Sequence, residues 1–354
     1  MRIGFDVSPL HRPHPPGVVR ATRGLVEALE RRGVLEVVRI APRPNADLRR
    51  WRHHSIVLQL ARNDLLALHS PVSAFPILPA WRTLRRVHTV HELPWRHDAE
   101  ENAGFGHQFW SSLATHRADA VVAPSEFVAR DLRSGTLPPA RDIRVVPWGV
   151  DACFARADED ASAGDAARAR ELGDAVRTLG DFVLLPGAAR PKKNAEATLA
   201  AVATLARERR PRVVITGRSS TEDDARLRAA ACALGVEDAL VFTGPLDDAA
   251  LAAHYRAARA VVVLSRSEGF AFPVVEGFAC GAPVVVAEGT AQAEIAGDVG
   301  LAVLAHEPED VARALERAGA ERAELARRGG ERASAFTWDR AAERIEALWK
   351  ELLD

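Results

Sequence analysis

The chain has 354 residues and is short of several things: one Met, one Tyr, three Cys, and three Lys against 44 Arg. Cys153, Cys232 and Cys280 stand far apart. They offer no metal-ligand spacing, and an odd, scattered set suits a reducing cytosol. No stretch reaches the ~18 apolar residues that a membrane-spanning helix needs. The sequence opens Met1-Arg2-Ile3-Gly4-Phe5-Asp6, directly in a strand pattern, so no signal peptide is expected. No Gly-x-Gly-x-x-Gly follows this first apolar run, which argues against a plain NAD-dependent enzyme. Hydrophobic residues at 47% and charged residues at 27% exclude a disordered or low-complexity chain. Asp223-Asp224 and Asp247-Asp248 read as helix starts, where carboxylates suit the dipole, so no metal site is expected.

What is present begins with a charge split hidden in a net charge of −1. Residues 1–150 hold 21 Arg, no Lys and 14 Asp+Glu, a balance of +7. The remainder holds 26 Lys+Arg and 34 Asp+Glu, a balance of −8. Such asymmetry suggests two domains with different partners, and the length agrees with two. Short apolar runs alternate with Ala-rich, helix-length stretches. The runs are Arg2–Val7, Leu35–Ala41, Ser55–Leu60, Arg86–His91, Ala118–Ala123 and Ile143–Pro147, then Phe182–Leu185, Arg212–Thr216, Leu240–Thr243, Ala260–Leu264, Pro283–Ala287 and Leu301–Leu304. This predicts an α/β chain of βαβ units in two doubly wound, Rossmann-like domains. The expected division is 1–155, 156–335 and a C-terminal amphipathic helix, 336–354, returning towards the N-terminal domain. Asp158–Asp165, acidic and poor in large apolar residues, reads as a linker or exposed helix. Ligands of open α/β sheets bind beyond the carboxyl ends of the strands, so the expected site is a cleft that the two domains face.

The segment Glu268-Gly269-Phe270-Ala271-Phe272-Pro273-Val274-Val275-Glu276 follows the run Ala260–Leu264. Pro273 suits the first position of a helix and Gly281 its C-terminal cap, so a helix is predicted over 273–280. Free N–H groups at its start would favour an anion, and Gly269 would let a ligand come close. Glu276, expected in the first helical turn, can accept hydrogen bonds from ribose hydroxyls. Glu268 can reach a second polyol. One acid per sugar, with a diphosphate between them, describes a nucleotide sugar. A glycosidase acid pair would need carboxylates roughly 5–10 Å apart across one bond, and nothing in the pattern demands that.

The string Glu268-Gly269-Phe270-x-x-Pro273-x-x-Glu276, followed by Gly281-x-Pro283-Val284-Val285, resembles the acid-x7-acid motif of retaining glycosyltransferases of family 4 (glycosyl transferases group 1). The resemblance extends over most of the chain and implies the GT-B fold. Pro16-Gly17-Val18-Val19-Arg20 stands where the family's glycine turn, here Gly17, lies against the donor diphosphate. His91, in His88-Thr89-Val90-His91-Glu92, matches the histidine near the transferred sugar, with Glu92 in place of the usual Asp. Pro124-Ser125-Glu126-Phe127 matches a turn into a helix, with Ser125 as its cap. Pro147-Trp148-Gly149-Val150-Asp151 matches the hinge, with Trp148 in place of Asn. In Gly187-Ala188-Ala189-Arg190-Pro191-Lys192-Lys193-Asn194, Lys193 is carried over as the phosphate lysine. Many relatives place Arg directly after this glycine; Ala188 stands there, and Arg190 is the candidate substitute. Gly217 and Ser265, after their strands, would line the nucleotide pocket with Gly269, Phe270 and Ala271.

The resemblance implies a metal-independent, cofactor-free transfer in which the nucleotide sugar is a substrate. Fixed donors and cations would stabilise the leaving diphosphate. The donor's own phosphate oxygen would serve as base, with retention at the anomeric carbon. Among relatives GDP-mannose-like donors are frequent, so a mannosyltransferase of polysaccharide or glycoconjugate synthesis is the first expectation. A GT-B epimerase or phosphorylase, or a catalytically idle subunit, are the alternatives. A glycan or lipid-linked acceptor is expected, and no nucleic acid. The basic half, with Arg49, Arg50, Arg52, Arg82, Arg85 and Arg86, suits an anionic acceptor or peripheral contact with the inner face of a membrane from the cytoplasm.

Overall fold

The computed structural model describes residues 1–72, 84–97, 104–135, 137–155 and 163–354. It holds two compact units. The first contains most of the chain up to Gly149 together with Phe336–Asp354; the second contains Val150–Ala335. Each is built on a six-stranded sheet whose neighbours are all parallel.

The first sheet holds β1 (Arg2–Asp6), β2 (Glu36–Ile40), β3 (Ala67–Ser70), β4 (Arg85–Thr89), β5 (Ala120–Ala123) and β6 (Ile143–Val145), in the order β2-β1-β3-β4-β5-β6. The second holds β7 (Phe182–Leu185), β8 (Arg212–Thr216), β9 (Leu240–Gly244), β10 (Ala260–Val263), β11 (Val284–Ala287) and β12 (Leu301–Val303), in the order β12-β11-β10-β7-β8-β9. Every residue of β5, β7, β10 and β11 is buried. Continuous apolar runs are what a parallel sheet covered on both faces requires. Each order reverses once, between β1 and β3 in the first sheet and between β7 and β10 in the second. At such a reversal the crossovers run to opposite sides and leave a crevice at the carboxyl edge.

One predicted strand is a helix. Ser55–Leu60 lies largely in the helix Ile56–Arg62, and the third strand is instead Ala67–Ser70. The physical reason is period. Ile56 and Leu60, four apart, are buried, while Leu58 between them is 56% exposed. That is a helical stripe, whereas a strand would bury alternate residues. The true strand was disguised by polar His69 and Ser70, both buried. Part of the acidic segment, 158–162, lies outside the described residues; from Ala163 the chain is helical.

The helix Trp338–Leu353 belongs to the first unit and packs on the helix Pro16–Arg32. Its apolar face, Ala341, Ala342, Ile345, Leu348 and Trp349, is buried. Arg32 closes the seam with a two-pronged grip on Glu346, Nε to Oε1 at 3.0 Å and Nη2 to Oε2 at 3.1 Å. Among the described residues no helix is long and apolar enough to cross a membrane. Ile345→Ala removes a fully buried side chain from this seam and should cost about 2–5 kcal/mol, read as a lower denaturation midpoint. An unchanged midpoint would mean that the helix does not anchor the first unit.

Candidate functional site

The second sheet's reversal lies between β7 and β10, and the loops after these two strands carry the densest set of predicted site residues. After β7 the chain turns at Gly187, whose φ of 103° is a glycine conformation. The Gly187 N–H donates to the Thr216 hydroxyl at 3.1 Å, and the Ala189 N–H to the Ser219 hydroxyl at 2.7 Å. Gly217, φ 101°, sits against this loop. A Cβ placed on it would lie 2.8 Å from the Gly187 carbonyl carbon. Gly217 therefore serves a close approach of two backbones after β7 and β8. Arg190 is exposed and precedes the one-turn helix Pro191–Lys193, which ends at Asn194 with φ 53°.

This turn delivers Lys193 to Glu268, Nζ to Oε1 at 2.5 Å, across the reversal. The two side chains are 22% and 14% exposed. Burial works to raise the Glu268 pKa. The charges of Lys193 and then Lys192, with hydrogen bonds from Lys193 and Ser265, outweigh it and hold the carboxyl below its usual value. Lys192 is itself buried, and its carbonyl accepts from the Arg266 N–H at 2.8 Å. Ser265 is buried at the end of β10, its carbonyl accepting from Gln292 Nε2 at 2.5 Å. A small hollow beside the pair is lined by Gly187, Ala188, Ala189, Lys193, Val263 and Ser265.

The motif helix runs Phe272–Ala279, one residue earlier than predicted, with Pro273 in its first turn. Gly281 follows at φ 74°. Gly269, Phe270 and Ala271 are buried ahead of it, and the Phe270 and Phe272 rings meet edge-on at 5.1 Å. Ala271 caps the helix at φ 57°, ψ 64°, a left-handed conformation that costs a non-glycine residue about 1–2 kcal/mol. Glu276 is the fifth helical residue, past the first turn where it was expected. The helix starts earlier because the left-handed Ala271 turns the chain before Phe272. Glu276 is buried, and its Oε2 accepts from the Tyr255 hydroxyl at 2.8 Å. Tyr255 escaped the sequence reading, although it is the chain's only tyrosine.

In the first unit His91 follows β4. A hydrogen bond to the Pro71 carbonyl favours its charged form, but burial dominates and brings its pKa down to about 4. Its Nε2 is buried without a partner among the described residues. His88 is likewise lowered to about 4, by burial and then by His91, and its Nδ1 faces the Thr115 hydroxyl at 3.1 Å. His69 is lowered to about 3 by burial, then by His88 and His91. At the reversal of the first sheet, buried Asp6 accepts from the Ser8 N–H at 2.8 Å. Arg52 reaches His14 Nε2 at 2.9 Å nearby. Gly17 is helical rather than part of a loop, because Pro16 opens the helix Pro16–Arg32. Ser125 caps its helix as expected, accepting from the Val128 N–H at 3.3 Å. Arg85 and Arg86 share Asp119, and Arg82 and the side chain of Arg49 lie outside what the structure describes. Among the described residues no group of three or more His, Cys, Asp or Glu is placed to hold a metal ion.

Two outcomes follow. Lys193→Met leaves Glu268 buried without its main partner and should cost on the order of 3 kcal/mol, with the Lys193→Met/Glu268→Gln double variant losing less. Equal losses by chemical denaturation would show that the pair is not coupled. Second, three histidines with depressed pKa values bind fewer protons folded than unfolded. Stability should be full above pH 6.5 and fall as pH drops from 6.5 towards 4, before the depressed carboxyl of Glu268 adds its loss below its ordinary value of 4.5. A melting temperature flat from pH 6.5 to 4.5 would contradict the buried neutral histidines.

Residues 12–153 match the family described as Glycosyltransferase Family 4, and residues 176–336 match Glycosyl transferases group 1. The D-inositol 3-phosphate glycosyltransferase of Acidothermus cellulolyticus is 37% identical over 250 residues, which are 67% of this chain and 54% of that protein. The protein of the same name from Salinispora tropica is 33% identical over 291 residues, 76% of this chain and 58% of that protein. The chain thus spans little more than half the length of these curated relatives. Among solved structures, a sucrose-phosphate synthase from Thermosynechococcus elongatus superposes with a TM-score of 0.79 at 19% identity, covering 99% of both chains. Anabaena HepE, solved in complex with UDP and glucose, gives 0.74 at 17% identity, covering 99% of this chain and 100% of that one. These likenesses establish the GT-B fold, and, with both of its halves matched by the family's profiles, the chain belongs to the family 4, group 1 glycosyltransferases.

Proposed function

We propose that the chain transfers a hexosyl group from a nucleoside diphosphate sugar to an acceptor hydroxyl, with retention and without a metal ion. The observation that carries this is the Lys193–Glu268 pair astride the reversal of the second sheet. An ammonium carries three donors, and Glu268 uses one. The others suit a diphosphate oxygen, with Arg190 as the second cation and the backbone at Gly269–Ala271 as further donors. Glu268, ionised, accepts from a sugar hydroxyl. Glu276, steadied by Tyr255, accepts from the ribose. In the transfer the acceptor oxygen bonds to the anomeric carbon, the bond from that carbon to the diphosphate breaks, and the acceptor proton passes to a leaving phosphate oxygen. His91 is neutral at pH 7 and offers a hydrogen bond to the sugar rather than charge.

The base and the sugar are finer questions. A UDP-sugar is the first donor to test, because HepE was solved with UDP, and a GDP-mannose-like donor is the second. The relatives are named D-inositol 3-phosphate glycosyltransferases. An anionic acceptor, whether a polyol phosphate or a lipid-linked glycan, fits the positive balance of the first 150 residues. The same charge, with Phe109 and Trp110 47% and 38% exposed, supports peripheral contact with anionic lipid.

A thermal-shift panel of UDP-, GDP-, ADP- and dTDP-sugars should single out one nucleotide, and transfer to a phosphate-bearing acceptor should follow. Stabilisation without turnover on any acceptor would point to an idle subunit instead. Glu276→Ala should weaken donor binding and cut turnover on the order of 10²-fold. Wild-type turnover in that variant sinks the ribose assignment. Lys193→Ala should raise the donor Kd at low salt. Binding to anionic liposomes should weaken with added salt; binding that salt leaves unchanged would count against the basic surface.

A further inference from the structure

Trp148 and Trp338 form a packed line that ends on His91. The His91 and Trp148 rings lie 5.9 Å apart at 43°, and Trp148 stacks on Trp338 at 6.5 Å and 28°. Trp148 is fully buried, and its Nε1 has no hydrogen-bond partner among the described residues. Trp338 in turn lies in a slot cut by two glycines. A Cβ on Gly24 would fall 2.2 Å from Trp338 Cε2, and one on Gly149 would fall 2.2 Å from its backbone nitrogen. Neither glycine has a left-handed φ, so space rather than backbone conformation demands the small residue. Trp338 is the first residue of the C-terminal helix, whose start Thr337 caps by accepting from the Arg340 N–H at 3.2 Å. It lies beyond both stretches matched by the family profiles.

His91 needs such a wall. Its bond to the Pro71 carbonyl engages one ring nitrogen, and Nε2 is the one buried without a partner among the described residues. The bonded nitrogen is therefore Nδ1, which donates, and the neutral ring keeps its lone pair on Nε2. One hydrogen bond leaves the ring free to tilt about it. The aromatic face of Trp148 removes that freedom and aims Nε2.

We propose that Trp148 and Trp338 are positioning residues for His91, fixing the tilt of its ring so that Nε2 is presented as a hydrogen-bond acceptor to a substrate hydroxyl. The presentation to substrate rests on the reading that His91 belongs to the transfer site; the fixing of the ring does not. The ionisable neighbours of His91 include His88 and His69, both neutral at pH 7, so packing rather than charge is the lever.

The test follows the His91 Cε1–H resonance, assigned by its loss in His91→Gln, together with kcat and the donor Kd. In Trp148→Ala and Trp338→Ala the titration midpoint of this resonance should rise from about 4 by roughly one unit as water enters. In the same variants kcat should fall about tenfold or more with the donor Kd unchanged. Trp148→Phe and Trp338→Phe, which keep a ring in place, should restore most of both. A lower melting temperature with an unmoved titration midpoint and unchanged kcat would overturn the proposal. If the alanine variants fail to fold, Trp148→Leu decides. Apolar bulk without a ring should still lower kcat and raise the titration midpoint, and wild-type values of both would refute the wall. A wild type inactive with every donor would refute the transfer reading and leave the resonance to judge the positioning.

Discussion

Lys193 and Glu268 meet across the line where the second sheet changes its winding direction, and the loops around them are shaped to permit it. A lone charge at this depth costs several kcal/mol, and for Glu268 that cost is outweighed because Lys193 lies close and Lys192 and Ser265 add to it. Bringing the lysine there takes the turn at Gly187, the backbone contact at Gly217 and the left-handed Asn194. Bringing the glutamate there takes the loop after β10, which ends in the left-handed Ala271. Strain at Asn194 and Ala271 is tolerable because the surrounding strands over-determine the path.

The two units treat their polar interiors in opposite ways. The second, acidic in bulk, gathers two of the chain's three lysines beside a carboxylate whose pKa they hold below its usual value. The first, rich in arginine, buries His69 and His88, keeps His91 half-buried just after β4, and holds all three neutral. Bulk charge is thus a poor guide to the charge a ligand meets. On the proposed function, a dianion is held in the acidic unit by local cations, which dominate at short range.

Eleven of the twelve strands were legible as apolar runs, because a fully covered parallel sheet writes its burial directly into the sequence. The exception shows the limit. Ser55–Leu60 is as apolar as a strand, and only the four-residue spacing of Ile56 and Leu60 betrays a helix. Ala67–Ser70 ends in His and Ser because it delivers polar groups to the edge of the sheet. In the second unit, Lys193 and Glu268 stood in two separate sequence motifs, and the fold brings them together. Other partners stood in no motif. Tyr255 lies 21 residues from Glu276, and Trp338 lies 190 from Trp148; only the fold brings such pairs together. Glu276 was misplaced within its helix because nothing in the residue type marks Ala271 as left-handed.

The scarcity of lysine gives the molecule an unusual chemical profile. Of its three ammonium side chains, Lys350 is exposed on the C-terminal helix, Lys192 is buried, and Lys193 is tied to Glu268. Amine-directed reagents meet a surface almost bare of targets, since guanidinium groups do not acylate under conditions that modify amines. Lys193 becomes nucleophilic only when its bridge opens and the ammonium sheds a proton. The rate at which it acquires an acyl label is therefore a clock for the opening of the ion pair, set against Lys350 as an internal standard on the same chain.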